Sequence, residues 1–239
     1  MTLMATERMK LFSTRSPWFC SVLAVGLVVG FASLLTLTSN DPAHVDLGLL
    51  LAGSQFGLMV VLVMGALAIT TEYRFGTIRT TFQAMPGRTA VLGAKAGVVG
   101  LLALVLGEVA AFGAWGVGKV FGVEAGLSSS ADWRAVAGLG VVFALSAVAA
   151  VAVGALIRQS AGAISILLVW SLLIEDLISL IPNVGDNIRD WMPFVSARRF
   201  LGNAGPDPVL GPWASLGYFA AITAVLFAIA AVVVNRRDA

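Results

Sequence analysis

Few side chains in this chain are equipped for chemistry. There is one histidine, His44, and one cysteine, Cys20. A lone imidazole beside Asp41 and Asp46 builds no Ser-His-Asp set, and no His-Glu-x-x-His zinc pattern occurs. One thiol closes no internal disulfide and no metal site. The string Gly113-Ala-Trp-Gly-Val-Gly-Lys119 has the spacing of a phosphate-binding loop, but Val120 follows where a Ser or Thr hydroxyl must reach magnesium. It also falls at the outer end of an apolar run, away from cellular ATP. The expectation is therefore no catalytic residue, no metal site and no cofactor held by this chain, with His44 a solvated loop residue.

The remaining candidates are polar groups embedded in apolar sequence. Glu108 lies in "LLALVLGEVAAFG", and a charge near a bilayer centre is costly enough to be a functional candidate by default. Three readings stay open for it: it faces a cavity, pairs with a partner, or is a neutral acid bonded between helices. Gln55, in "AGSQFG", either bonds between helices or lines a cavity, beside small residues that permit close helix contact. Ser171 and Glu175 complete the set of possible pathway residues. Adjacent helical residues point about 100° apart, so Glu175 and Asp176 cannot face one groove equally. Stabilising an outer hairpin through Arg189, Arg198 or Arg199 is the favoured role for the pair, with lining an exit as the alternative.

The elements that must carry these groups are helices in a bilayer. Of 239 residues 59% are hydrophobic and 12% charged, against about 45–50% and 25% in soluble domains. A soluble fold could not cover that much apolar surface. Six runs, 18–37, 47–70, 93–118, 135–157, 161–181 and 213–234, reach the roughly 20 residues that span hydrocarbon. None alternates as a barrel strand does. The first run exceeds the length of a signal-peptide core and lacks a small-residue cleavage site after it, so it reads as a retained span.

Basic residues orient the bundle, because cytoplasmic loops retain positive charge. With the N-terminus inside, ten Lys and Arg residues fall inside and five outside (Lys119, Arg134, Arg189, Arg198 and Arg199). Both termini are then cytoplasmic, and the chain is expected in a bacterial-type inner membrane. The net charge of +2 reflects this topology, and no basic-aromatic strip suggests nucleic acid.

Three segments flank the spans. Residues 1–16 read as a helix lying in the inner interface, with Met4, Leu11 and Phe12 on its apolar face and Glu7 and Lys10 on its polar side. Residues 182–212 hold five prolines among Trp191, Met192, Phe194 and Phe200, which suits short re-entrant helices; a loop lying on the membrane surface is the alternative. Between spans two and three, Phe75, Ile78, Phe82 and Met85 are spaced three, four and three, which predicts one face of an amphipathic helix. Pro86-Gly87 ends it. Arg88 and Lys95 are expected near lipid head groups. This helix joins span two by a very short link, so a push on it must move the span.

The run Glu72-Tyr73-Arg74-x-Gly76-Thr77-Ile78-Arg79-Thr80, followed by Pro86, Arg88 and Ala94-Lys95, resembles the segment after the second span in ABC transporter permeases of the type-two class, the drug, lipid and polysaccharide exporters. The lead-in Glu7-x-x-Lys10-Leu11-x-x-x-Arg15-Ser16-x-Trp18 is similar to that family's N-terminal interfacial helix. The resemblance implies one permease domain over 1–239: an all-α integral membrane protein with six transmembrane helices, the interfacial helix, a cytoplasmic coupling helix within 72–92 and a re-entrant outer hairpin. It implies that Glu72, Tyr73, Arg74, Gly76, Thr77, Arg79 and Thr80 contact a separate ABC ATPase subunit, which holds the ATP and magnesium. A second six-span permease, the same or homologous, and membrane lipid are the other implied partners. Outward movement of a drug, lipid, glycolipid or peptide is the implied function. An ATPase-independent channel or an ion-coupled carrier using Glu108 is the alternative, and a scaffold that moves nothing is a third reading.

Overall fold

The computed structural model describes residues 3–39, 45–85, 87–123, 126–178, 180–181, 185–202 and 209–236. The readings at Asp41, His44 and Pro86, and at 182–184 and 203–208 of the outer segment, lie outside these residues. The described chain is helical throughout, with no strand. Six helices are long and apolar enough to cross a membrane, the character of a multi-pass membrane protein.

Helix α1 (Leu3–Ser13) is followed by α2 (Arg15–Thr38), which has Pro17 in its first turn, where a missing N–H costs nothing. The second span is broken. A short α3 (Leu47–Leu50), capped by the Asp46 carboxylate, precedes a turn, and α4 (Ser54–Arg74) carries the chain onward. The apolar run 47–70 predicts one continuous helix here, and the structure divides it. An α5 helix (Thr77–Ala84) then leads to α6 (Arg88–Val120) and α7 (Ser130–Ile157). Ser129 and Asp132 close a reciprocal capping box that fixes where α7 begins. The fifth span starts as α8 (Ser160–Val169), widens into a π-turn over Trp170–Ile174, and ends as α9 (Glu175–Ile178). Two short helices, α10 (Gly185–Arg189) and α11 (Pro193–Phe200), precede α12 (Pro212–Arg236).

Helices α6 and α7 form the centre, with α4 packed on α7 and with α2, α8 and α12 around them. In lipid, helices associate through close packing rather than through exclusion of water, so small residues mark the contacts. At Gly107 of α6 an added Cβ would lie 2.6 Å from the Gly140 Cα of α7, which leaves room for no side chain. The string 113–120 lies inside the continuous helix α6, so its N–H groups cannot fold into a phosphate cradle.

One end of the bundle gathers α1, α5, the α7–α8 junction and the end of α12. Lys10 reaches Thr81 there, Arg158 lies over the Tyr73 ring, and Asn235 donates to Thr89. The other end holds the α10–α11 hairpin. Helix α11 packs against α12 through Phe194–Phe219 and Phe200–Trp213 ring contacts.

Candidate functional site

The α5 end is built on an elbow. Helix α4 stops at Arg74 because Gly76 takes a left-handed conformation (φ 71°), which a glycine adopts without steric cost. The 75/78/82/85 stripe is therefore not one helix face. Ile78 is buried and Phe82 packs on the core, while Phe75 is 71% exposed at the tip and Met85 is exposed beyond α5. Arg74, Phe75, Gly76, Thr77, Arg79 and Thr80 together form an exposed surface, with the Arg74 guanidinium over the Phe75 ring. The spacing puts Phe75 on one apolar face with Ile78 and Phe82; the structure turns it to the opposite, exposed side.

The other two residues of the set turn inward. Tyr73 packs on the core beneath the Arg158 guanidinium. Glu72, with a side chain only 12% exposed, joins an ion cluster. Lys95 of α6 donates to Glu7 Oε2 at 2.6 Å and to Glu72 Oε1 at 2.8 Å. Lys10 donates to Glu7 Oε1 at 2.9 Å and to Thr81 Oγ1 at 3.1 Å, and its ammonium is 3.5 Å from Glu72 Oε1. Two expectations are corrected here. Lys95 turns into the protein rather than outward, and its side chain is 6% exposed. The polar side of α1 is the side that packs on the protein, with Glu7 buried and Met4 exposed. The reason is common to both: two acids and two lysines neutralise one another, so they can leave water together. The cluster ties α1, α4, α5 and α6 into one unit.

The two α1 charges have shifted proton affinities. Burial raises the Glu7 carboxyl, but Lys95 and Lys10 outweigh it and hold the group below its ordinary 4.5. Burial lowers the Lys10 ammonium, but Glu7 and Glu72 outweigh it and hold the group above its ordinary 10.5. Glu7 thus adds stability that is full above the unfolded value and is lost as pH falls through its lower folded value; Lys10 adds stability that is full below its unfolded value and is lost as pH rises through its higher folded value. A spin label on Met4→Cys, in a Cys20→Ser background, should show constant mobility from about pH 5 to 10 and rising mobility below pH 4. Release of α1 near neutral pH would contradict the pairing.

At the opposite end Glu175 and Asp176 diverge. Glu175 is fully buried, and its carboxylate accepts from Phe194 N–H (3.0 Å), Val195 N–H (2.8 Å) and Trp170 Nε1–H (3.1 Å). The two backbone donors are first-turn groups of α11, which have no partner within their own helix. Glu175 caps α11 from the fifth span, and the hydrogen bonds it accepts come from backbone N–H groups and the Trp170 indole where an arginine pair was the expectation. Asp176 is half-exposed and meets Arg198 at 3.0 Å and Arg189 at 3.8 Å. Arg199 turns instead to Asp190 at 2.6 Å. Arg134, not singled out by sequence, donates to Phe200 O and braces the end of α11.

A cavity of about 320 Å³ opens beside this cap. Ala52 lines it from the break in span two and Ser54 and Gln55 from the start of α4, with Leu172 from the π-turn of span five and Asp176 from α9 just beyond it. Irregular backbone at membrane depth is tolerated where it is buried in protein or lines a cavity. Gln55 is thus on a cavity wall. Ser171 is buried, with its hydroxyl donating to its own helix at Leu168 O. Glu108 lies over Gly140, half-buried and outside both this cavity and one of about 620 Å³ at the elbow, walled by α1, α4, α5 and α6.

No protein-family model and no curated protein matches the chain. Groups of three or more His, Cys, Asp or Glu able to hold a metal are absent among the described residues.

Proposed function

We propose that this chain is the membrane-spanning subunit of an ATP-driven exporter of the type-two ABC kind. The observation that carries the reading is the elbow. Its exposed tip presents two arginines and a phenylalanine on one surface, the sort of residues that anchor protein interfaces. Its other side, where Ile78 is buried, is tied by Thr81 and the ion cluster to two further helices, α1 and α6. A load on the tip has no slack to take up before it reaches α4. On this reading a separate cytoplasmic ATPase, with its own ATP and magnesium, docks on Arg74, Phe75, Thr77, Arg79 and Thr80. Glu72 and Tyr73 pass the motion inward rather than touching the ATPase.

Two such subunits face each other in an inner membrane with both termini cytoplasmic, and an amphiphilic substrate moves outward along spans two and five. The cavity between Gln55 and Asp176 joins those two spans. The carrier reading centred on Glu108 draws less support, because that carboxylate lines neither cavity. Exchange of Arg74 and Arg79 for Ala should lower co-purification of the ATPase about tenfold or more and abolish stimulated hydrolysis. Unchanged association and hydrolysis would overturn the proposal.

A further inference from the structure

The cavity beside the α11 cap, about 320 Å³, lies within the roughly 300–1,000 Å³ of small-molecule pockets. Part of its wall is apolar: Leu58 on α4, Leu139 and Val142 on α7, and Leu172 on span five. Another part is polar: Ser54, Gln55, Asp176 and Arg198. Along α4 the wall grades from one to the other, since Leu58 lies about 5 Å beyond Gln55 at 1.5 Å per residue. A molecule with a polar end and an apolar end matches that grading.

Two of the polar groups are uncommitted. The Gln55 amide and the Ser54 hydroxyl make no side-chain hydrogen bond among the described residues, and both residues are half-buried on the cavity wall. An amide offers two donors and an acceptor, and a hydroxyl serves as either. The charged groups, by contrast, are opposed. Arg198 and Asp176 share the wall 3.0 Å apart. Behind them Arg189 stands 3.8 Å from Asp176, and the buried Glu175 precedes Asp176 in the chain. Arg198 keeps N–H groups that a ligand can use, but an anion there stands beside Asp176, and a cation on Asp176 stands beside Arg198. A ligand charge of either sign thus gives up its hydration to meet both signs at once, whereas an uncharged head group gives up none. Hydroxyls suit the free groups, because each both donates and accepts. We infer that this cavity binds one single-chain amphiphile with an uncharged, hydroxyl-bearing head group. The hydroxyls exchange hydrogen bonds with Gln55 and Ser54, and the chain lies over Leu58, Val142 and Leu172. That such a molecule is the exported cargo rests on the proposal above; its binding here does not.

The test uses the full chain in phosphatidylcholine nanodiscs without any ATPase, so it stands whether or not an ATPase docks on the elbow. Equal sub-micellar amounts of octyl glucoside, octyl phosphate and octyltrimethylammonium are added, and retained molecules are counted by native mass spectrometry. One octyl glucoside per chain should be retained, about tenfold or more over either charged analogue. Gln55→Leu, which keeps the volume and removes the amide, should lower that retention about tenfold. Ser54→Trp, which fills the cavity from its half-buried wall, should abolish it. Equal or greater retention of a charged analogue, phosphatidylcholine held in place of the glucoside, or no retention at all by the wild type would overturn the assignment. So would undiminished retention by Gln55→Leu or by Ser54→Trp, because the glucoside would then be bound elsewhere.

Discussion

Exchange of Lys95 for methionine is expected to detach α1 from the bundle. The substitution keeps the length of the stem and removes the ammonium that both Glu7 and Glu72 accept from. Two carboxylates with little exposure are then left with Lys10 alone, whose own side chain is 37% exposed. Removing one partner of a buried ion pair costs about 3–5 kcal/mol, because the charge left behind has neither water nor counter-ion. Thermal unfolding of the purified protein should shift down accordingly, and protease should cut between α1 and α2 where the wild type resists. A second substitution, Glu7→Gln, should recover part of the loss by removing the orphaned charge. If Lys95→Met leaves both unfolding and proteolysis unchanged, the cluster does not hold α1.

The second large effect lies at the other end. Glu175→Ala removes the acceptor for two backbone N–H groups and the Trp170 indole at once. Each buried donor left unpaired costs about 1–3 kcal/mol. The first turn of α11 has no substitute cap, since its N-cap residue Met192 makes no side-chain capping bond and Asp176 is occupied with Arg198. The hairpin should therefore loosen. Ser196, fully buried in α11, provides the reporter. A Ser196→Cys thiol in a Cys20→Ser background should be protected from an impermeant maleimide, and should become reactive when Glu175→Ala is added. Glu175→Gln should fall between, because its amide retains one acceptor and turns a second donor toward the helix. Continued protection in the Ala variant would show that α11 is held by its ring contacts alone.

The six membrane-length helices were legible because hydrocarbon thickness demands long apolar runs, and each run shows directly in the sequence. What periodicity could not resolve was where a helix stops. Phe75 fits the 75/78/82/85 spacing, yet Gly76 ends α4 just beyond it and sends Phe75 outward. The three-four-three pattern assumes one continuous helix, and a single left-handed residue defeats it. The break before Ser54 and the π-turn at Trp170–Ile174 escaped for the same reason. Pairings across the chain were hidden differently. Glu7 and Lys95 are 88 residues apart, and each alone looked like a residue bound for water. Glu175 was recognised as a hairpin brace, but nearby arginines suggested ion pairs, and backbone donors carry no mark in sequence. Of the proposed docking set, Arg74, Gly76, Thr77, Arg79 and Thr80 were placed by motif on what is an exposed surface.

The elbow can be probed where it stands. A photo-crosslinking amino acid at Thr80, exposed on α5, should capture in native membranes a polypeptide whose sequence contains G-x-x-x-x-G-K followed by Ser or Thr. The same probe at Val120, 82% exposed at the far end of α6, should not capture it. Capture of that polypeptide at Thr80 alone is the result the account predicts. Cross-links from Thr80 to lipid only, or capture of the nucleotide-binding chain from Val120 instead, would contradict it.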